Sequence, residues 1–97
     1  MRYRLDISSG AAQAYNRLPE GVRGRIYRCL LALAETPDPP GSALGANLRP
    51  FHRVRVGDYR IGYLIDREQT LVRVSAIGHR RTFYDLLARL KDGWSDE

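Results

Sequence analysis

Residues 52–65 read His52-Arg53-Val54-Arg55-Val56-Gly57-Asp58-Tyr59-Arg60-Ile61-Gly62-Tyr63-Leu64-Ile65. Two apolar-polar alternations meet at Gly57-Asp58, the pattern of two half-buried strands joined by a two-residue turn in which glycine takes the positive φ. With that turn, Val56 faces Tyr59, Arg55 faces Arg60, Val54 faces Ile61 and Arg53 faces Gly62. The apolar pairs then share one face and the arginines the other, whereas a slip of one residue would mix them. Arginines directly opposite each other repel by about 1 kcal/mol at roughly 5 Å in a water-like dielectric, and by more as the site dries. A sheet gains nothing from gathering Arg53, Arg55 and Arg60, so this face is expected to meet an anion from outside. The competing account is a solvated arginine face, or one covered by the last helix. Gly62 is expected to leave the floor of the face open, so that a ligand can approach the backbone.

Downstream, a polar break at Arg67-Glu68-Gln69 precedes a third alternating run, in which Val72, Val74 and Ala76 oppose Arg73 and Ser75. Thr82-x-x-Asp85 has the form of a capping box ahead of a helix that turns Phe83, Leu86, Leu87 and Leu90 inward. Upstream, Tyr3, Leu5 and Ile7 alternate with Arg2, Arg4 and Asp6, which predicts another strand. Ser8 or Ser9 caps a helix with Ala11, Ala12, Tyr15 and Leu18 on one side. Pro19 opens a second helix, with Val22, Ile26, Leu30 and Leu33 as its buried stripe. Cys29 lies beside that stripe as a small core residue, with nothing in the sequence to activate its thiol. Pro37, Pro39, Pro40 and Gly41 stop this helix and open a loop to about Arg49. The order β-α-α-β-β-β-α predicts an α+β fold, with a helical hairpin and a C-terminal helix packed on a small, twisted antiparallel β-sheet. Residues 1–97 form a single domain, and Asp92 to Glu97 are expected to be a loose acidic tail.

The chain has 97 residues, of which 43% are hydrophobic, enough for one core and too many for a disordered basic tail. Sixteen Lys+Arg against eleven Asp+Glu give a net charge of +5. The excess is uneven: residues 1–48 are net +2, residues 49–91 net +6 and residues 92–97 net −3. A second half this basic suits an anionic partner, nucleic acid first, although a merely solvated cationic surface satisfies net charge equally well. Every basic residue but Lys91 is arginine, which binds negative charge but does not serve as a general base. A single cysteine excludes an intramolecular disulfide framework and a Cys-rich zinc module. His52 and His79 have no companions at metal-ligand spacing, so neither a metal nor another cofactor is expected. There is no Gly-rich phosphate loop and no local Ser-His-Asp or Cys-His pattern. With no long apolar run, and no apolar signal-peptide core between Met1 and Tyr15, a soluble cytoplasmic protein without a membrane partner is expected.

The segment Gly78-His79-Arg80-Arg81-Thr82-Phe83-Tyr84 joins the last strand to the last helix, whose N-terminal N–H groups attract phosphate. It is expected to bring Arg80, Arg81 and Tyr84 beside the basic face. Arginine forks match phosphate oxygens, and a tyrosine ring can stack on an unpaired base.

The run from His52 to Ile61 and the Gly-His-Arg-Arg-x-x-Tyr ending at Tyr84 resemble the RelE/ParE superfamily of bacterial toxins, in its RelE-like, mRNA interferase branch. The likeness extends over the whole chain. It implies the RelE-like microbial ribonuclease fold and a type II toxin that cuts mRNA, usually in the ribosomal A site. It also implies a cognate antitoxin, through which the complex binds its own operator DNA. Carried over by position, the second-strand basic residues fall on Arg53 and Arg55, the strand arginine on Arg60, the post-strand arginine on Arg80 and the helix tyrosine on Tyr84. RelE-like enzymes often have lysine where this chain has Arg53 and Arg55, so a lysine-assisted proton transfer is unavailable. The expected chemistry is metal-free transesterification, in which the RNA 2′-OH attacks the adjacent phosphorus. Arg60 and Arg80 stabilise the phosphorane, Arg53, Arg55 and Arg81 hold phosphates, and His79 is a further RNA-binding and proton-transfer candidate. Tyr84 stacks on a base or relays a proton; a phenol pKa near 10 favours stacking. The alternatives are a ParE-like, non-enzymatic toxin that poisons DNA gyrase, and an RNA-binding module without turnover.

Overall fold

The computed structural model describes residues 2–93. Strand β1 (Arg4–Ile7) leads through helix α1 (Ser9–Asn16) and helix α2 (Glu20–Glu35) into a loop with one short 3-10 turn at Ala46–Leu48. Strands β2 (His52–Val56), β3 (Tyr59–Asp66) and β4 (Leu71–His79) and helix α3 (Phe83–Asp92) follow. The sheet order is β1-β4-β3-β2. The three C-terminal strands form the expected antiparallel meander, but β1 runs parallel to β4, so the sheet is mixed rather than antiparallel. The connection through α1 and α2 carries the chain over one face to the far edge at β2, and the meander then brings β4 back beside β1 and parallel to it. The β2–β3 register is the one the alternation demands, and Gly57 takes φ +60° in the turn.

Local signals at the helix starts are used unequally. Ser8 caps α1, its side chain accepting from the Ala11 N–H at 3.1 Å. Pro19 occupies the N-cap of α2. Thr82 caps α3 only with its backbone, so the capping box expected with Asp85 is not formed. Asp92 closes α3 and Gly93 caps it, so the expected loose tail does not begin at Asp92; its remainder, residues 94–97, lies outside the described residues.

The sheet separates two cores. Helices α1 and α2 pack Ala11, Ile26, Leu30 and Leu33 on Ile61, Tyr63, Val72, Val74 and Ile77, with Cys29 partly buried at the margin. On the opposite face α3 packs Phe83 and Leu87 on Phe51 and Ala76. Ala76 is therefore not on the side of Val72 and Val74. The β3–β4 register passes from Tyr63↔Val74 to Gly62↔Ala76, leaving Ser75 as the extra residue of a bulge that inverts the facing of everything after it. Among the described residues no helix is long and apolar enough to cross a membrane.

Candidate active site

Register places Arg53, Arg55 and Arg60 on the α3 face of the β2–β3 hairpin, with Arg55 directly opposite Arg60. Gly62, opposite Arg53, is not the open floor that its lack of a side chain suggested. A Cβ there would lie 2.8 Å from Phe83 Cζ and 2.9 Å from Leu87 Cδ2, so the glycine lets α3 lie close against β3. The open ground is at Gly78, which pairs with Arg60 and where a Cβ would meet nothing within 4 Å.

Because α3 sits this low, its first turn brings Tyr84 onto the arginines. Arg53 Nη1 donates to Tyr84 Oη at 3.2 Å, and Arg53 Nη2 donates to the Gly41 carbonyl at 3.3 Å. Arg60 is anchored by the hairpin turn, its Nη1 donating to the carbonyls of Gly57 (2.8 Å) and Tyr59 (2.9 Å). The Nε of Arg53 and of Arg60 are both buried without a hydrogen-bond partner. Burial pushes the Tyr84 phenol up, but the hydrogen bond from Arg53 and the nearby charges of Arg53 and Arg60 outweigh it, and the net direction is down. Tyr84 therefore reaches the phenolate more readily than a free tyrosine. Its ring stands edge-on to Phe83, with centroids 5.1 Å apart.

The remaining expected residues are arranged less centrally. Arg80 is drawn to the hairpin turn, its Nε 3.6 Å from Asp58 Oδ1 and its backbone N–H donating to the Asp58 carbonyl. Arg81 is exposed on the loop before α3. The bulge at Ser75 turns His79 away from the arginines: it pairs with Tyr59 on the α1–α2 face, stands edge-on to that ring, and its Nδ1 accepts from the Arg81 N–H. The structure therefore does not bring His79 together with Arg53, Arg55 and Arg60.

Some contributors carry no local sequence signal. Ser42, 2% exposed, lies 2.9 Å from His52 Nδ1 and donates to Asp38 Oδ1, and Asp38 pairs with Arg67 at 2.9 Å. Serine and aspartate both approach the same nitrogen, so this is not a relay from hydroxyl through imidazole to carboxylate. It pins the loop beside β2. His52 also stacks on Tyr63, whose hydroxyl donates to the Pro37 carbonyl. Burial lowers the His52 pKa, Asp38 opposing and Arg67 adding to the shift. Burial raises that of the Cys29 thiol, which suits a packing role. Among the described residues no group of three His, Cys, Asp or Glu side chains could hold a metal ion.

Residues 6–84 match the family model of the ParE toxin of type II toxin–antitoxin systems. The chain is 31% identical over 83 residues to Toxin RelE of Mycobacterium tuberculosis (strain ATCC 25618 / H37Rv), covering 84% of this chain and 86% of that one. Among solved structures it is similar to the RelBE2 toxin–antitoxin complex of the same organism (TM-score 0.75, 26% identity, 82% of this chain and all of that one). It is also similar to a mutant of E. coli toxin RelE in the free state (TM-score 0.74, 23% identity, 84% and 87%).

Proposed function

This chain belongs to the ParE toxin family of type II toxin–antitoxin systems, and from that premise we propose that it is a RelE-like endoribonuclease that cleaves mRNA on the ribosome. The observation that carries the reading is the Arg53–Tyr84–Arg60 cluster, a phenol held by one guanidinium and biased toward phenolate by two. A binder that only docks on a protein has no use for such a group.

In the proposed reaction the RNA 2′-oxygen bonds to the adjacent phosphorus and the bond from phosphorus to the 5′-oxygen breaks. The 2′-hydroxyl proton passes to the Tyr84 phenolate, and the leaving 5′-oxygen takes a proton from water. The products are a 2′,3′-cyclic phosphate and a 5′-hydroxyl, formed without a metal in the chemical step. Arg60, fixed by two turn carbonyls, is the preorganised donor to the phosphorane, worth about 100- to 1,000-fold if it behaves like an oxyanion-hole donor. Arg80 joins it from the rim by turning from Asp58. Arg53, Arg55 and Arg81 hold flanking phosphates.

The partner that restrains the toxin is a cognate antitoxin, through which the complex meets its operator. Exposed Tyr27 and Ile7 border a groove of about 320 Å³ with Tyr15 and Leu30, an apolar surface suited to an amphipathic helix. An acidic segment of the antitoxin would also neutralise the arginines, so association slows as salt rises; a rate unchanged between low and physiological salt would count against electrostatic docking.

Primer extension on mRNA after brief induction, beside a DNA-damage reporter, tests the assignment. Cleavage within codons is expected, with cyclic phosphate ends that persist under chelation in a ribosome-stable assay. Damage signalling with intact mRNA would instead assign the gyrase-poisoning mode, and 3′-hydroxyl ends would refute the 2′-OH mechanism.

A further inference from the structure

Strand β2 is an edge strand, and only part of its outer edge is paired. The loop before it bridges at Ala43↔His52, with the Arg53 N–H donating to the Ser42 carbonyl and the Leu44 N–H to the Phe51 carbonyl. Since the Arg53 N–H points outward, the Arg53 carbonyl and the Arg55 N–H point outward too, two residues being one period of a strand. Neither has a partner among the described residues. Beyond the bridge the loop pulls away, leaving a cleft of about 370 Å³ lined by Pro39, Pro40 and Gly41 on one side and by Arg53 and Arg55 on the other. That volume lies within the roughly 300–1,000 Å³ of small-molecule sites.

The wall opposite β2 is fixed in advance. Ser42 is tied to His52 and Asp38 through its hydroxyl, and its N–H donates to the Pro39 carbonyl. Gly41 is held by the Arg53 guanidinium, the same group that holds Tyr84. The cleft and the phenol thus share one arginine.

We propose that this cleft is a nucleobase subsite: a base of the RNA strand lies against the Pro39–Pro40 wall and pairs edge-on with β2, donating to the Arg53 carbonyl and accepting from the Arg55 N–H, while its phosphate meets the Arg55 guanidinium. Every base offers a neighbouring donor and acceptor; adenine does so with its N6 amino group and N1. Charge selects an anionic occupant over a neutral or basic strand of protein, because two guanidinium groups flank the unpaired edge. The proposal rests on RNA being the substrate.

Titration of 15N-labelled protein with AMP, beside ribose 5-phosphate as the baseless control, reads the site. AMP is expected to move the Arg55 backbone amide downfield, and ribose 5-phosphate to leave it in place. Arg55→Ala removes the charge, whereas Arg55→Pro also removes the N–H at an edge position where proline is tolerated. AMP binding by Arg55→Pro should be about 2- to 10-fold weaker than by Arg55→Ala, the range for one hydrogen bond. Equal binding by the two variants, both with native amide dispersion, would overturn the proposal, as would an unmoved Arg55 amide in the wild type. An extended acidic peptide that moves this amide where AMP does not would assign the edge to strand addition instead. Nucleotide binding needs no turnover, so an AMP-specific shift in a protein that leaves mRNA intact would keep the subsite and discard only the ribonuclease reading.

Discussion

Beneath α1 and α2 the sheet presents Ile61, Tyr63, Val72, Val74 and Ile77, each no more than 2% exposed. Beneath α3, strands β3 and β4 present Gly62 and Ala76 at the centre, and β2 and β3 present Arg53, Arg55 and Arg60 toward one end. The first face fills its volume with sheet side chains and needs helices only to seal it. On the second, Gly62 and Ala76 supply little bulk, and Phe83 and Leu87 of the helix fill the space together with Phe51 at the head of β2. One face maximises burial. The other uses small residues to lower a helix until its tyrosine touches a cluster of like charges, an arrangement stability alone would not select.

The largest effect is expected at Tyr84. If its hydroxyl moves the proton, Tyr84→Phe loses about 100- to 10,000-fold in single-turnover rate and Tyr84→Ala is no worse. The wild-type rate should rise between pH 6 and 9 as phenolate accumulates, levelling below the tyrosine norm of about 10, while the Phe variant stays flat. A Phe variant near the wild-type rate, with the Ala variant down only about 5- to 150-fold, would return Tyr84 to base stacking. Arg60→Ala should abolish growth arrest, with about 100- to 1,000-fold lost in cleavage and stability within about 0.5 kcal/mol. Arrest at wild-type strength and equal expression would reduce Arg60 to a surface charge.

The two glycines of the α3 face sharpen the contrast in stability. Gly62→Ala pushes into buried Phe83 and Leu87 and should cost about 1–3 kcal/mol, read from urea midpoints. Gly78→Ala meets open space and should stay within about 0.5 kcal/mol while obstructing substrate beside Arg60. Arg55→Ala should gain about 0.2–1 kcal/mol as the repulsion across from Arg60 disappears; a loss would mean that Arg55 has a structural role.

The hairpin register was legible because a turn and an alternation agreed locally. The sequence misleads where one residue acts through its partner strand. Val72 to Ala76 alternates without a break, yet the bulge at Ser75 moves Ala76 beneath α3 and Ile77 and His79 beneath the helical hairpin. The only sign was the pair of adjacent apolar residues Ala76-Ile77, which a strict alternation cannot place. Gly62 announced missing bulk but not what fills it, since Phe83 arrives from another element. Arg80 could be put at the right end of the sheet but not against Asp58, which within its motif read only as a turn residue. Asp38, Ser42 and His52 meet because a loop folds back, and no spacing encodes that.

The parallel pairing of residues 4–7 with residues 71–74 also governs when the toxin can exist. During synthesis β1 emerges well before β4 and has no partner in the sheet until β4 leaves the ribosome. Contacts so distant along the sequence form late, because loop closure precedes any gain from them. A ribosome-bound fragment ending before Leu71 lacks β4 and α3, and with them Arg80 and Tyr84. A nascent chain therefore lacks part of the proposed active face until the segment from Leu71 to Tyr84 has been made. Truncations ending before Leu71 should be non-toxic and protease-sensitive, and a compact, toxic fragment of that length would contradict this timing.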